Sequence, residues 1–579
     1  MAKAMVKLPL LMLLALGGCY SGTVGPTNDG GTSGTGGAGG SGAVSSGGGG
    51  GQSTGAGGTT GTAGTGSGTA GAAGTGSGAA GTSGAGGSTT GTGGSPTGAS
   101  GRGGGAAGTS GARGGQGGST GAAGAGGTAA GGTTGAASGD EFVSGVTITV
   151  HPQVTTILNV SWTQAKAADQ TWLEFTFTGG SLMTSRPLAG AAGAHKDVVL
   201  GVPGSTAVTV RIVSKLGGVD YKTKDYTGTT GAIPTGLPKP TVSMYDAALA
   251  SPDRWLFGAV ENSPGGCNNS SCYYTALFWL YIMDRQGRIV WYYADATGNP
   301  TSSFQRIARD GEYIWIEKRP FSGSGNKSVL KMTLDRAYSQ SVTVPDLSDA
   351  IDVTSDGSLL YDTEPTWELR EMTKAGTVRA IWRCPTAFGS SFDCYSNTIN
   401  WDPASDTIMM SFPYENTIAQ IDRKTGTLVA TYGQRTGSYA FDVANWSFEF
   451  QHFANISSRG TLMVSSHLPG NDRTESPVAN QHAFEEWTID RTNKRLVQKW
   501  IYSDGPEWAM YKGMVILLPN GNYLANYGTG GVIREITPDK KTVFYVKFDV
   551  TTGNDFFNKM VGNNVLINDL YALNGGGPK

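Results

Sequence analysis

Charge is nearly missing from the first quarter of this chain. Between Ser21 and Gly139 the charged residues are Asp29, Arg102 and Arg113 alone. Large apolar side chains are equally scarce there. The segment is built from Gly, Ser, Thr and Ala, and it holds more than half of the 93 glycines. Such a composition buries too little apolar surface to offset its conformational entropy, so the segment is expected to stay disordered. Collagen-like order is excluded, because proline is rare and glycine does not recur at every third position. A flexible coil of about 120 residues spans on the order of 60 Å, which makes residues 19–139 a tether for the remainder of the chain.

Histidine and cysteine are scarce throughout, with five of each. The formal net charge of −2 gives no footprint for a nucleic-acid partner. After Cys19 no hydrophobic run is long enough to cross a bilayer. The first 18 residues read as an export signal. Lys3 and Lys7 precede the apolar stretch Leu8–Leu16, which closes with Leu16-Gly17-Gly18-Cys19. Small residues followed at once by cysteine resemble the lipobox of bacterial lipoproteins, which implies lipidation of Cys19, a membrane anchor and a place in the cell envelope, at the outer membrane or cell surface. The other four cysteines allow three pairings. Export makes disulfides plausible, and close spacing favours Cys267–Cys272 and Cys384–Cys394. No histidine lies near either pair, so a metal site is not expected there.

From residue 140 onward the chain is rich in Trp, Tyr, Phe, Ile and Val, ample for more than one core. Residues 140–238 read as a small β-sandwich, with short strand-like runs separated by Gly, Pro and Ser. Val160-Ser161-Trp162 and the run Gly201–Thr206 before Val208–Val213 resemble the fibronectin type III pattern, with Trp162 as a core residue. Pro234 to Pro240 reads as a stiff linker. From residue 239 a unit of four short apolar runs recurs, clearest from Ile399 to Gly433. Turns such as Asp310-Gly311, Asp356-Gly357 and Asn520-Gly521 are hairpin chemistry. Six units can be counted, and Val561–Leu573 is placed to return to the first. The fold expected is all-β: a six-bladed β-propeller over residues 239–579, preceded by the sandwich and the tether.

In a propeller, the start of each inner strand and the end of the second strand meet at one mouth. Gln451-His452, Ser466-His467, Lys318-Arg319 and Tyr395–Asn397 therefore fall together. A histidine nucleophile among cations suits transfer of an anionic sulfuryl or phosphoryl group. Tyr395, Phe412, Tyr414 and Tyr527 would give the mouth an aromatic lining.

Residues 240–579 resemble the bacterial arylsulfate sulfotransferase family. The resemblance is carried by Asp284–Tyr293 (DRQGRIVWYY), Asp402–Gly433, Phe448–His452 (FEFQH), Glu485–Asp490 (EEWTID), Asn520–Thr537 and Asn568–Tyr571. It implies a six-bladed propeller that passes a sulfuryl group from a phenolic sulfate to a phenol through a histidine, without a cofactor. His452 is then the catalytic nucleophile, with Asn397, Lys318, Arg319, His467, Tyr395 and Gln451 as substrate-binding residues. The chain departs from the family pattern at three places. Tyr395-Ser396-Asn397 replaces His-x-Asn, Phe412 follows Ser411 where the family has Arg, and Ile351-Asp352 replaces His-Asp. Each lost donor typically costs on the order of 100-fold in rate. Two readings are compatible with these departures: an enzyme with an atypical site, or a degenerate propeller that binds a ligand or serves as a surface scaffold or adhesion module.

Overall fold

The computed structural model describes residues 138–262, 277–294, 302–303, 307–320, 327–470, 482–503, 509, 511–548 and 560–575, with backbone only at 262, 277, 302–303 and 318–320. The tether, Cys19, Cys267 and Cys272 lie outside the described residues. Among the described residues no helix is long and apolar enough to cross a membrane.

The chain is nearly all β. In the first module, Val143–Val150, Leu158–Gln164 and Gly193–Val199 form a three-stranded sheet. A six-stranded sheet is built around Gln170–Phe177 and Ala207–Leu216. Period-two alternation is what selects strands here. Along Leu158–Gln164 the buried residues are Leu158, Val160, Trp162 and Gln164, while Ser161 and Thr163 face out. Val160 and Trp162 join Leu173, Phe175, Val208, Val210 and Ile212 in one apolar cluster.

Six further antiparallel sheets follow, the first built on Trp255–Asn262, Leu277–Asp284 and Ile289–Tyr293, and the second on Ile314–Pro320, Lys327–Met332 and Ser339–Val344. The third runs Leu347–Val353, Leu359–Thr363, Glu368–Met372, Val378–Arg383. The fourth runs Thr398–Asp402, Thr407–Phe412, Thr417–Asp422, Leu428–Gly433. The fifth runs Glu449–Ile456, Leu462–His467, His482–Asp490, Arg495–Tyr502, with Ala440–Phe441 parallel to its outer strand. The sixth runs Gly513–Leu517, Tyr523–Tyr527, Val532–Ile536, Thr542–Phe548. The linker expected from sequence extends to Pro240. In the structure Pro240–Tyr245 instead adds a strand to the outer edge of the sixth sheet, a pairing that short polar alternation does not announce.

Neighbouring sheets pack face to face through apolar clusters. Trp315, Val329, Ile351 and Tyr361 lie between the second and third sheets. Trp382, Ile408 and Phe412 lie between the third and fourth, Met409, Phe448 and Trp487 between the fourth and fifth, and Phe484, Val515 and Tyr523 between the fifth and sixth. The cluster that unites the sixth, first and second sheets also includes the core of the first module. Aromatic side chains suit these positions, since each buries on the order of 200 Å², or about 5 kcal/mol of transfer free energy before entropy.

The first sheet takes its inner strand from the end of the chain. Val561–Ile567 pairs with Trp255–Asn262, with Gly258 opposite Asn564. The segment beyond is held from two sides. Tyr571 donates its hydroxyl to Val198 O at 2.8 Å, and Asn574 accepts from Asp335 N at 2.9 Å. Cys384 and Cys394 form the disulfide that spacing favours, with Cα atoms 5.8 Å apart.

Gly258 leaves no room for a side chain. A Cβ there would lie 1.9 Å from Asn564 Nδ2 and 2.7 Å from the Tyr281 hydroxyl. Gly258→Ala is expected to destabilise the protein by about 1–3 kcal/mol, as overpacking does, seen as a lower urea midpoint with an unchanged slope.

Candidate functional site

The fifth sheet presents His452 in a strained setting. In the pairing of Glu449–Ile456 with Leu462–His467, the register shifts on both sides of His452, which faces Ser465. Phe450 and Phe453 take positive φ, 48° and 51°, a conformation that costs a non-glycine residue about 1–3 kcal/mol. Hydrogen bonds from the fourth sheet hold it. Phe450 N donates to Asn416 Oδ1 at 2.8 Å and Phe453 N to Thr398 Oγ1 at 3.0 Å. Paired bulges of this kind re-aim a side chain.

Asn397 sets the protonation of the ring. Its Nδ2 donates to Gln451 O at 2.9 Å and lies 3.0 Å from His452 Nδ1. A carbonyl oxygen only accepts, so the amide orientation is fixed, and Thr398 Oγ1 donates to Asn397 Oδ1 at 3.2 Å. His452 Nδ1 is therefore an acceptor, and the proton of the neutral imidazole sits on Nε2. Gln451 turns the other way. Its Nε2 donates to Ser411 Oγ, Phe412 O and Thr417 O at 3.0–3.2 Å, so its amide rivets the fourth and fifth sheets together.

His467 donates from Nε2 to Ala509 O at 3.0 Å, and its ring lies 5.7 Å from Phe450. A third histidine joins it. His482 opens the third strand directly across from His467 and sits 2.7 Å from Ser465 Oγ through Nε2. Burial, reinforced by His467 and His452, holds the pKa of His482 well below the usual imidazole value. Only His452 and His467 were expected here from sequence. The end of a second strand and the start of the third lie side by side, so His482 reaches the mouth with His467.

Tyr395 donates its hydroxyl to Asp349 Oδ2 at 2.8 Å, and Ser396 donates to Asp362 Oδ2 at 2.6 Å. Burial pushes Asp362 up to about 6, and burial does the same for Asp352, which accepts from Trp401 N at 2.7 Å. An aromatic arc runs Tyr395–Tyr414–Phe450–Tyr511, with ring centroids 5.5, 5.9 and 5.8 Å apart. Tyr414 is 46% exposed. Phe412 and Tyr527, expected in this lining, are buried. Phe412 packs against Trp382, Phe388 and Phe392, and Tyr527 against Phe484 and His482. Lys318 and Arg319 end the strand Ile314–Pro320, paired with Ser328 and Ser303. Their side chains lie outside the described residues. The fold thus gathers Asn397, Gln451, His452 and His467, and links Tyr395 to them through the arc.

The fold and mouth define an all-β, propeller-like protein. No family model matches the chain, and no curated protein does. Solved structures of propeller-like proteins are similar at low identity. A protein of unknown function from Bacteroides caccae aligns at 13% identity and TM-score 0.34, over 54% of this chain and 98% of its own. Virginiamycin B lyase from Staphylococcus aureus aligns at 14% and 0.29, over 44% and 72%. A 6-phosphogluconolactonase-like protein from Bacteroides fragilis aligns at 13% and 0.32, over 66% and 96%.

Two measurements check this site. Long-range ¹H–¹⁵N spectra should show Nε2-protonated tautomers for His452 and His467, and a His482 ring whose shifts stay those of the neutral form from pH 5 to 8. Nδ1 protonation of neutral His452 would contradict the arrangement. The second concerns Glu485, buried behind Ser466, which accepts from that hydroxyl and from Trp487 and Trp446 indoles at 2.7 and 3.0 Å. Burial pushes its carboxyl up to about 7, from an ordinary 4.5. The folded state then binds a proton that the unfolded state releases, so this contribution to stability is full below pH 4.5 and is lost as pH rises through 7. The difference is on the order of 3 kcal/mol. Glu485→Gln should remove that slope from urea-unfolding stabilities measured between pH 4.5 and 8.

Proposed function

We propose that this is an envelope-tethered lipoprotein whose six sheets close as a six-bladed propeller of the arylsulfotransferase type, behind a fibronectin type III-like module, and that its mouth binds a small aromatic ligand without transferring a sulfuryl group. One observation carries the second half. Attack on sulfur by Nε2 needs a lone pair there, hence a proton on Nδ1, and Nδ1 faces the Asn397 amide as an acceptor. With its proton on Nε2, His452 is a hydrogen-bond donor toward a ligand oxygen. Tyr414, exposed and packed on the Phe450 ring at 5.9 Å, supplies flat apolar surface beside it, the partner chemistry of an aromatic ring. The family's cationic position is taken by Phe412, which is consumed in an aromatic core. Anchoring through Cys19 and residues 19–139 would place this head at the outer membrane or cell surface.

A second reading, sulfuryl transfer from a phenolic sulfate to a phenol through His452, draws support from the paired bulges and the positive φ of Phe450 and Phe453. Such strain clusters at reactive sites.

Incubating the purified protein with 4-nitrophenyl sulfate and excess phenol separates the two. The expected result is no release of 4-nitrophenol, together with saturable binding of 4-nitrophenol that weakens about 3- to 10-fold in Tyr414→Ala, the loss of one aromatic contact. Turnover accompanied by sulfurylated His452 would establish transfer instead, and absence of any binding would remove the ligand reading.

A further inference from the structure

A cavity lies far along the chain from His452, where the first module meets the sixth and first sheets. It has a volume of about 230 Å³ and is lined by the 177–181 turn of the first module, by Tyr245, by residues 252–255 and by the turn around Arg285. Pockets at the junction of two modules are common ligand sites. Two features of its lining are unusual.

Arg254 is held in place without an acid. Its Nη2 donates to Ser181 Oγ at 2.6 Å, and its guanidinium lies 5.3 Å from the Trp255 ring. Among the described residues no carboxylate pairs with it. Arg285 is only 3% exposed. Its Nε and Nη2 reach Asp253 O, Ser251 O and Glu535 Oε2 at 2.7–3.3 Å. Its Nη1 is buried and finds no acceptor among the described residues. A buried guanidinium donor left unpaired costs more than an ordinary lost hydrogen bond, and native structures answer such groups with a water or an ion.

The local acids are already engaged. Asp284 accepts from Arg288 Nε at 2.7 Å and from the backbone N–H groups of Gln286 and Arg288. Asp253 accepts from Ser251 Oγ at 2.6 Å. The lining holds Arg254, Arg285 and Arg288 against Asp253 and Asp284, with Glu535 bonded to Arg285, so Arg254 is the guanidinium that has no carboxylate of its own among the described residues. Tyr245 and Phe177 add aromatic wall.

We propose that this cavity binds a small organic oxyanion, its charged group against the Arg254 guanidinium on the side of Arg285, and its body against Tyr245 and Phe177. The volume admits a body on the order of ten heavy atoms, at about 30 Å³ for each water displaced, which suits an aryl carboxylate or a small phosphate ester and excludes an oligosaccharide. A ligand held by both modules stabilises the folded chain by mass action.

The test is thermal unfolding of the purified protein in benzoate, inorganic phosphate or chloride at matched ionic strength. A saturable rise in midpoint with benzoate or phosphate, absent with chloride, is expected. Benzoate alone assigns a carboxylate with an apolar body, and phosphate alone assigns the free anion. Arg254→Gln, at an exposed position, should raise the half-saturating concentration about tenfold or more, the loss of one charge-assisted hydrogen bond. Ser181→Ala, which only unpins Arg254, should raise it less. Equal shifts in chloride, or an unchanged half-saturation in Arg254→Gln, would overturn the proposal.

Discussion

Everything in the larger part of this molecule depends on one strand pairing, that of Val561–Ile567 with Trp255–Asn262. Each sheet packs on the next in chain order, so five of the junctions involve segments that are near neighbours in sequence. The first sheet is different, because its inner strand arrives about 300 residues after the strand it joins. Together with the pairing of Pro240–Tyr245 on Thr542–Phe548, which spans a similar length of chain, that contact carries the largest loop-closure cost in the fold. The structure meets it with specificity rather than with bulk. Asn564 donates to the Tyr281 hydroxyl and accepts from Asn526, a buried polar set that is satisfied only in one register. Gly258 allows the close approach that this set requires.

The first module takes part in the same closure. Tyr571, just past the closing strand, bonds to Val198 O, and Arg186 pairs with Asp569 at 3.1 Å. Core residues of the module and of the first and sixth sheets belong to one cluster. A module that shares its core with the ring is part of the ring's stability.

The repeat was legible in the sequence because it rests on local signals: apolar runs of strand length, and Asp-Gly or Asn-Gly turns at the hairpins. The fourth unit, read from Tyr395 to Gly433, differs from the observed sheet only in that regular pairing starts at Thr398. The gathering of Asn397, Gln451, His452 and His467 was legible too, since strand direction alone dictates it. Side-chain direction was not. Gln451 looked like a ligand contact and instead bonds into the fourth sheet. Phe412 looked like a mouth residue and points between the third and fourth sheets. His482 was hidden by distance in sequence, being brought to His467 by strand pairing across residues 471–481. A rule about strand ends fixes position, whereas orientation is decided by which buried donor or acceptor most needs a partner.

That need also explains how neighbouring sheets are tied to one another at the mouth and below it. Below the mouth, the inner strands are tied in succession by side chains that reach the next sheet's backbone: Asp352 to Trp401 N, Asn400 to Ala454 O and Asn455 to Val515 O. At the mouth the same kind of link recurs with Tyr395 to Asp349, Ser396 to Asp362 and Asn397 to Gln451 O and His452. Charged groups aimed at a bound anion would stand apart from their neighbours, and they would repel one another in the absence of the anion. Neutral donors that face neighbouring acceptors remove that repulsion and add cross-sheet bonds. His452, held between two bulges by bonds from the fourth sheet, is the position where strain has been retained rather than relieved.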